Sequence, residues 1–113
     1  MRKLFVSVPM KGYTLDEIQS NQTKMHFLAE KHFNEKFELI DSIILDEPPM
    51  NCNFGLWYLS KSLEKLSIAD FFIGIEDSNN FVGCMLERLA AKTYNIKSYI
   101  IDWKKFLATT EDF

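Results

Sequence analysis

The sequence predicts a single-domain α/β protein built on a parallel sheet, and three observations point there. Strand-like and helix-like segments alternate along the whole chain, the order expected of βαβ units with right-handed crossovers. The run Phe71-Phe72-Ile73-Gly74-Ile75 is apolar without a break. That suits a central parallel strand covered on both faces, because a half-exposed strand would alternate. The 113 residues, 47% of them hydrophobic, suffice for one core and not for two.

Taken in order, Leu4-Phe5-Val6-Ser7-Val8 reads as the first strand, ended by Pro9, which has no amide hydrogen for a ladder. Thr14 followed by Glu17 has the form of a capping box. It opens a long helix whose apolar stripe is Ile18, Met25, Leu28, Ala29 and Phe33. Phe37 to Asp41 is the second strand. Asp46 to Asn53, with Pro48 and Pro49, must be irregular and is a candidate lid. Leu59, Leu63 and Leu66 share a face of a second helix, closed by Ser67 to Asp70. After the central strand come a polar loop, Glu76 to Asn80, and a third helix from about Phe81 to Tyr94. Its inward residues are expected to be Val82, Met85, Leu86, Leu89 and Ala90. Ser98 to Ile101 is the last strand, and the sequence leaves open whether the tail from Trp103 to Phe113 packs on its own domain or on a neighbour.

Composition excludes several classes of function. The formal charge is −3, and Lys and Arg are scattered among Asp and Glu. No basic stripe tracks a phosphate backbone, so a nucleic-acid polymer is not an expected partner. No apolar run approaches the roughly 20 residues that span a bilayer, and Met1-Arg2-Lys3 leads into a strand rather than a signal peptide. A cytoplasmic protein away from membranes is expected, the host cytoplasm if the chain is phage-encoded. Cys52 and Cys84 lack the spacing of a zinc or redox motif, and they read as buried free thiols in preference to the alternative of a disulfide between them. His26 and His32 are too far apart for a metal pair on adjacent turns and are expected to face solvent. Neither a metal site nor a cofactor fingerprint is present: there is no Walker loop, dinucleotide glycine motif or nucleophile elbow.

In open parallel sheets ligands bind beyond the carboxyl ends of the strands. Two of the loops there carry candidate chemistry. Pro9-Met10-Lys11-Gly12 combines a rigid corner, a cation and a glycine ahead of a helix start, which suits either an anion site or a plain turn. In the stretch from Glu76 to Glu87, Glu87 borders the inward helical face one turn after Gly83. The missing side chain there opens space beside a carboxylate. The alternative is a surface Glu87 paired with a lysine, with Gly83 serving close packing on the sheet. Trp57 and Tyr58 suit either stacking on a base or ordinary packing.

Four blocks in order carry a resemblance that extends over most of the chain up to Ile101. They are Phe5-Val6-Ser7-Val8-Pro9-Met10-Lys11-Gly12, Leu56 to Glu64, Ala69-Asp70 with its strand, and Gly83-Cys84-Met85-Leu86-Glu87 with Ala90-Ala91-Lys92. Together they resemble the nucleoside 2-deoxyribosyltransferase-like superfamily, in particular its small phage and bacterial members, and its deoxynucleoside monophosphate N-hydrolases. The resemblance implies a flavodoxin-like three-layer sandwich with a four- to five-stranded parallel sheet. It also implies a homodimer or larger homo-oligomer whose neighbouring subunit completes the pocket. Glu87 takes the place of the glutamate that attacks the anomeric carbon of a deoxyribose. Three helper positions depart from the pattern: Phe5 stands where active relatives place a tyrosine, Ser62 where they place a base-contacting aspartate, and Phe81 where they place an aspartate or a phosphate-binding serine. Pro9 replaces a serine of the hydrolases, and Lys11 an arginine of some relatives.

The expected catalytic residues are therefore Glu87 and Asp77. The expected nucleoside- or nucleotide-binding residues are Ser7, Pro9, Met10, Lys11, Gly12, Ser62, Ser78, Asn80 and Gly83. Asp77, Ser78 or Asn80 would take over a lost helper role. An enzyme acting on the N-glycosidic bond, without a cofactor, is the first expectation. A nucleotide-binding protein that has lost turnover, such as a phage protein sequestering a signalling nucleotide, is the second. A third is an interaction module using Trp57, Tyr58, Trp103 and Phe106 as exposed aromatics.

Overall fold

The computed structural model describes residues 1–76 and 81–109, so the candidates Asp77, Ser78 and Asn80 lie outside the described residues. The elements are β1 (Arg2–Val6), α1 (Leu15–Phe33), β2 (Phe37–Leu39), α2 (Phe54–Leu66), β3 (Phe71–Ile75), α3 (Val82–Thr93), β4 (Lys97–Ile101) and α4 (Trp103–Ala108). The four strands form one sheet in the order β2-β1-β3-β4, and every pairing is parallel. Helices cover both faces, which makes the architecture a flavodoxin-like three-layer sandwich. No described helix is long and apolar enough to cross a membrane.

Alternation along the strands assigns the layers. Leu4, Val6, Phe71, Ile73, Ile75 and Ile101 pack with Ile18, Met25 and Ala29 of α1 and with Trp103 and Phe106 of α4. Phe5 and Phe72, one residue out of phase, pack on the other face with Leu66 of α2 and Ala91 of α3. All five residues of β3 are buried, which is why its sequence shows no alternation. Gly74 is required by its neighbour. A Cβ there would lie 2.5 Å from a ring carbon of Phe72, closer than packed atoms tolerate.

The capping box at the start of α1 is complete: the Glu17 amide donates to Thr14 Oγ1 at 3.2 Å, and the Thr14 amide to Glu17 Oε1 at 2.9 Å. The second strand is shorter than the expected Phe37 to Asp41. The Ile43 amide donates to Asp41 Oδ1 at 3.1 Å, an Asx turn that ends regular pairing. Beyond it the Ser42 hydroxyl, rather than a ladder amide, donates to the Val6 carbonyl at 3.2 Å, and accepts from Gln22 Nε2 at 3.3 Å. The end of β1 is thus fastened to α1 through side chains.

Four expectations are corrected. In α3, Val82 and Leu89 are exposed and the buried residues are Cys84, Glu87 and Ala91, so the helix is rotated until a carboxylate faces inward. The aromatics of α4 are not an exposed patch. Trp103 is 2% and Phe106 4% exposed, stacked on each other at 5.0 Å and packed in their own domain. His26 is half-buried, with Nε2 3.1 Å from the Phe37 carbonyl and 3.2 Å from Glu30; His32 is exposed as expected but stacks on Tyr99 at 3.8 Å. Both cysteines are free thiols, yet only Cys84 is buried, and Cys52 is half-buried.

Candidate functional site

A cavity of about 380 Å³ opens beyond the carboxyl end of β1, between the loop that follows it and the facing sides of α2 and α3. The volume lies within the range of small-molecule sites. Met10 and Lys11 reach it from the loop, Tyr58 and Ser62 from α2, and Gly83 and Glu87 from α3. A larger hollow of about 910 Å³ between α3 and β4 contains none of the expected site residues. Among the described residues no group of three or more His, Cys, Asp or Glu side chains is placed to hold a metal ion.

Glu87 is the chemical centre of the cavity. It is 9% exposed, and the Ser7 hydroxyl donates to its Oε1 at 2.6 Å. This rules out a surface carboxylate paired with lysine. Burial pushes the Glu87 carboxyl above its ordinary range, while hydrogen bonding from Ser7 and Ser62 opposes the rise. Both effects have plain causes: a low dielectric penalises charge, and a donor stabilises it. The nearby Cys84 thiol is pushed up to about 12, chiefly by burial, with a smaller upward push from the charge of Glu87.

Gly83 leaves room beside the carboxylate. A Cβ there would meet nothing within 4 Å, so close packing on the sheet does not account for this glycine. Gly12 instead serves the turn, with φ at +86°, a region costly for side-chain-bearing residues. Its neighbour Tyr13 meets Trp103 edge-on at 6.1 Å, and Trp103 Nε1 donates to the Tyr13 hydroxyl at 3.3 Å. The loop bearing Lys11 is therefore anchored on α4.

The structure brings together Met10, Lys11, Ser62, Gly83 and Glu87 around one cavity, and places Ser7 directly against Glu87. Pro9 is buried and Gly12 lies in the turn, and neither lines the cavity. The expected lid does not contribute either, since no residue from 46 to 53 lines the cavity. Leu59 and Cys84 line it but were not among the expected site residues, and Tyr58, a candidate for stacking on a base, lines it as well. A signal for the α2 wall was present: Gly55, Tyr58, Leu59 and Ser62 are spaced as one face of a helix.

Phe5 is fully buried, its ring parallel to that of Phe72 at 5.9 Å. It occupies the hydrophobic layer beneath the helices and brings no polar group to Glu87. No family model, no curated protein and no solved structure matches the chain.

Proposed function

We propose that the chain is an N-glycosidic enzyme of the nucleoside 2-deoxyribosyltransferase kind, acting on a deoxynucleoside or its monophosphate with Glu87 as nucleophile. The observation that carries this reading is a carboxylate buried in a cavity wall and held by a serine hydroxyl at 2.6 Å. Among the described residues the groups that stabilise its charge are the hydroxyls of Ser7 and Ser62 and not a cation. An ionisable group kept in that environment is costly and marks a functional position more often than a structural one. Lys11 and Tyr58 on the same cavity suit an anionic group and a flat ring.

In the reaction, a Glu87 oxygen bonds to the anomeric carbon as the carbon–nitrogen bond breaks. The bonding pair leaves with the base, which takes a proton from solvent. Water or a second base then attacks the same carbon and returns the carboxylate, giving a hydrolase or a transferase respectively. A homodimer or larger assembly in the cytoplasm belongs to the same reading. Exposed Phe54 and Leu56 at the start of α2 and Val82 at the start of α3, the last of which also lines the cavity, support the assembly, and light scattering after size-exclusion chromatography tests it.

The test of the activity is base release from a panel of deoxynucleosides and their monophosphates. Glu87→Gln and Glu87→Ala should stop release while the same compounds still raise the melting temperature. Undiminished release by both variants would remove Glu87 from the mechanism.

One observation favours a second reading, nucleotide binding without turnover: the first-strand position where active relatives carry a tyrosine is a buried Phe5 stacked on Phe72. Incubation with labelled nucleotides followed by denaturation separates the two. Intact ligand recovered supports binding, and free base supports catalysis.

A further inference from the structure

β1 sends alternate side chains to opposite faces of the sheet, so Phe5 and Ser7 point toward the same layer. Phe5 spends that orientation on the core. Ser7, one step further along the same face, delivers its hydroxyl to Glu87 Oε1 at 2.6 Å across 80 residues of sequence.

Ser7 is also held unusually firmly for a residue past the end of a strand. Its amide donates to the Ile73 carbonyl at 2.9 Å, and the carbonyl of Val6 just before it accepts from Ser42, itself bonded by Gln22. Ser7 is 1% exposed and Ser42 2%, so no water competes for these bonds. Ser7 does not line the cavity; it stands behind the wall, its hydroxyl on Glu87 and its carbonyl accepting a long contact from Cys84 Sγ at 4.0 Å. A donor fixed by the sheet before any ligand arrives requires no reorganisation when the carboxylate reacts.

We propose that Ser7 is the positioning residue of this site, taking over, one step further along the strand face, the task for which Phe5 has no hydroxyl, and that Ser42 and Gln22 hold the strand end on which it stands. The inference rests on the reading of Glu87 as nucleophile for its catalytic meaning, but its geometry can be tested alone. Among the described residues, the ionisable or polar groups that share the cavity wall with Glu87 are Lys11 from the β1–α1 loop, Tyr58 and Ser62 from α2, and Cys84 from α3. On that face β3 brings Phe72 and Gly74, which do not titrate. Ser7 is thus the donor from the sheet.

Carbon-13 NMR of side-chain carboxyls follows the titration of Glu87 directly, with Glu87→Gln identifying its signal. Ser7→Ala should raise the Glu87 midpoint by about one unit, since a lost donor to the charged form favours the neutral one. Ser7→Thr, which keeps the hydroxyl, should return it toward the wild-type value. An unchanged midpoint in folded Ser7→Ala overturns the proposal. Should Ser7→Ala fail to fold, Ser7→Cys, similar in size and a much weaker donor, decides by the same criterion. Where the wild type releases base, Ser7→Ala should lower kcat at least tenfold with KM little changed, and move the acid limb of the pH–rate profile upward. A wild type that releases no base ends the glycosidic reading, and the titration still decides the role of Ser7.

Discussion

Ser7 and Glu87 stand 80 residues apart in the chain and 2.6 Å apart in space. The hydroxyl stabilises the charged form of a carboxyl whose pKa burial raises above its ordinary range. A folded-state pKa above the unfolded value means that the stability contributed by this group is fully present below the unfolded pKa and is lost as pH rises through the folded one. Glu87→Gln removes that loss. Its melting temperature should exceed that of the wild type at pH 8, by roughly 4–8 °C for each kcal/mol relieved. The gain should shrink on acidification and vanish below about pH 4, where glutamate is protonated in both states. Thermal unfolding from pH 3 to 8 measures it, and a variant less stable than wild type at pH 8 would contradict the burial argument.

Lys11 is the cation that the β1–α1 loop brings to the cavity. Lys11→Ala should weaken binding of a deoxynucleoside monophosphate by about tenfold, or ~1.4 kcal/mol. The matching nucleoside should be nearly unaffected. Calorimetric titration of both compounds checks the contrast, and equal losses would mean that Lys11 does not face the phosphate.

The two cysteines should react differently. With its thiol pushed up to about 12 and its side chain buried in the cavity wall, Cys84 has almost no thiolate at pH 8 and presents little surface to a reagent. Iodoacetamide should modify the native protein at Cys52 alone and both residues after denaturation, as read by peptide mass spectrometry. Modification of Cys84 under native conditions would show that the cavity admits the reagent or that the α3 start opens readily.

Gly74→Ala would push a methyl group to 2.5 Å and 2.9 Å from two ring carbons of Phe72 in the middle of the sheet. A loss of about 1–3 kcal/mol is expected, the usual cost of overpacking a core. Urea denaturation measures it, and Phe72→Leu in the same background should recover part of the loss.

The residues legible in the sequence were those whose signals are local. Thr14 and Glu17 announce a helix start within four residues, and the run from Phe71 to Ile75 announces a strand covered on both sides. Both lie where expected. The rotation of α3 was not legible, because an apolar stripe through Val82 and Leu89 is the better amphipathic pattern and only the packed structure turns Cys84 and Glu87 inward. The same limit hid the role of Ser7. A contact between the end of one strand and a helix 80 residues on depends on the β1–β3 register, which no local spacing encodes. The short helix α4 did leave a trace: Asp102 caps it by accepting from the Lys104 and Lys105 amides at 3.0 and 3.2 Å, and Trp103, Phe106 and Leu107 follow at helical spacing.

The two tryptophans occupy contrasting surroundings, and this makes the protein its own optical instrument. Trp103 is sealed between Tyr13 and Phe106, so its emission should be blue-shifted and should follow global unfolding. Trp57 is half-buried and meets edge-on, at 5.0 Å, the Tyr58 ring that borders the cavity. In Trp103→Phe the remaining fluorophore sits one residue from the cavity wall, and its intensity becomes a label-free signal of occupancy.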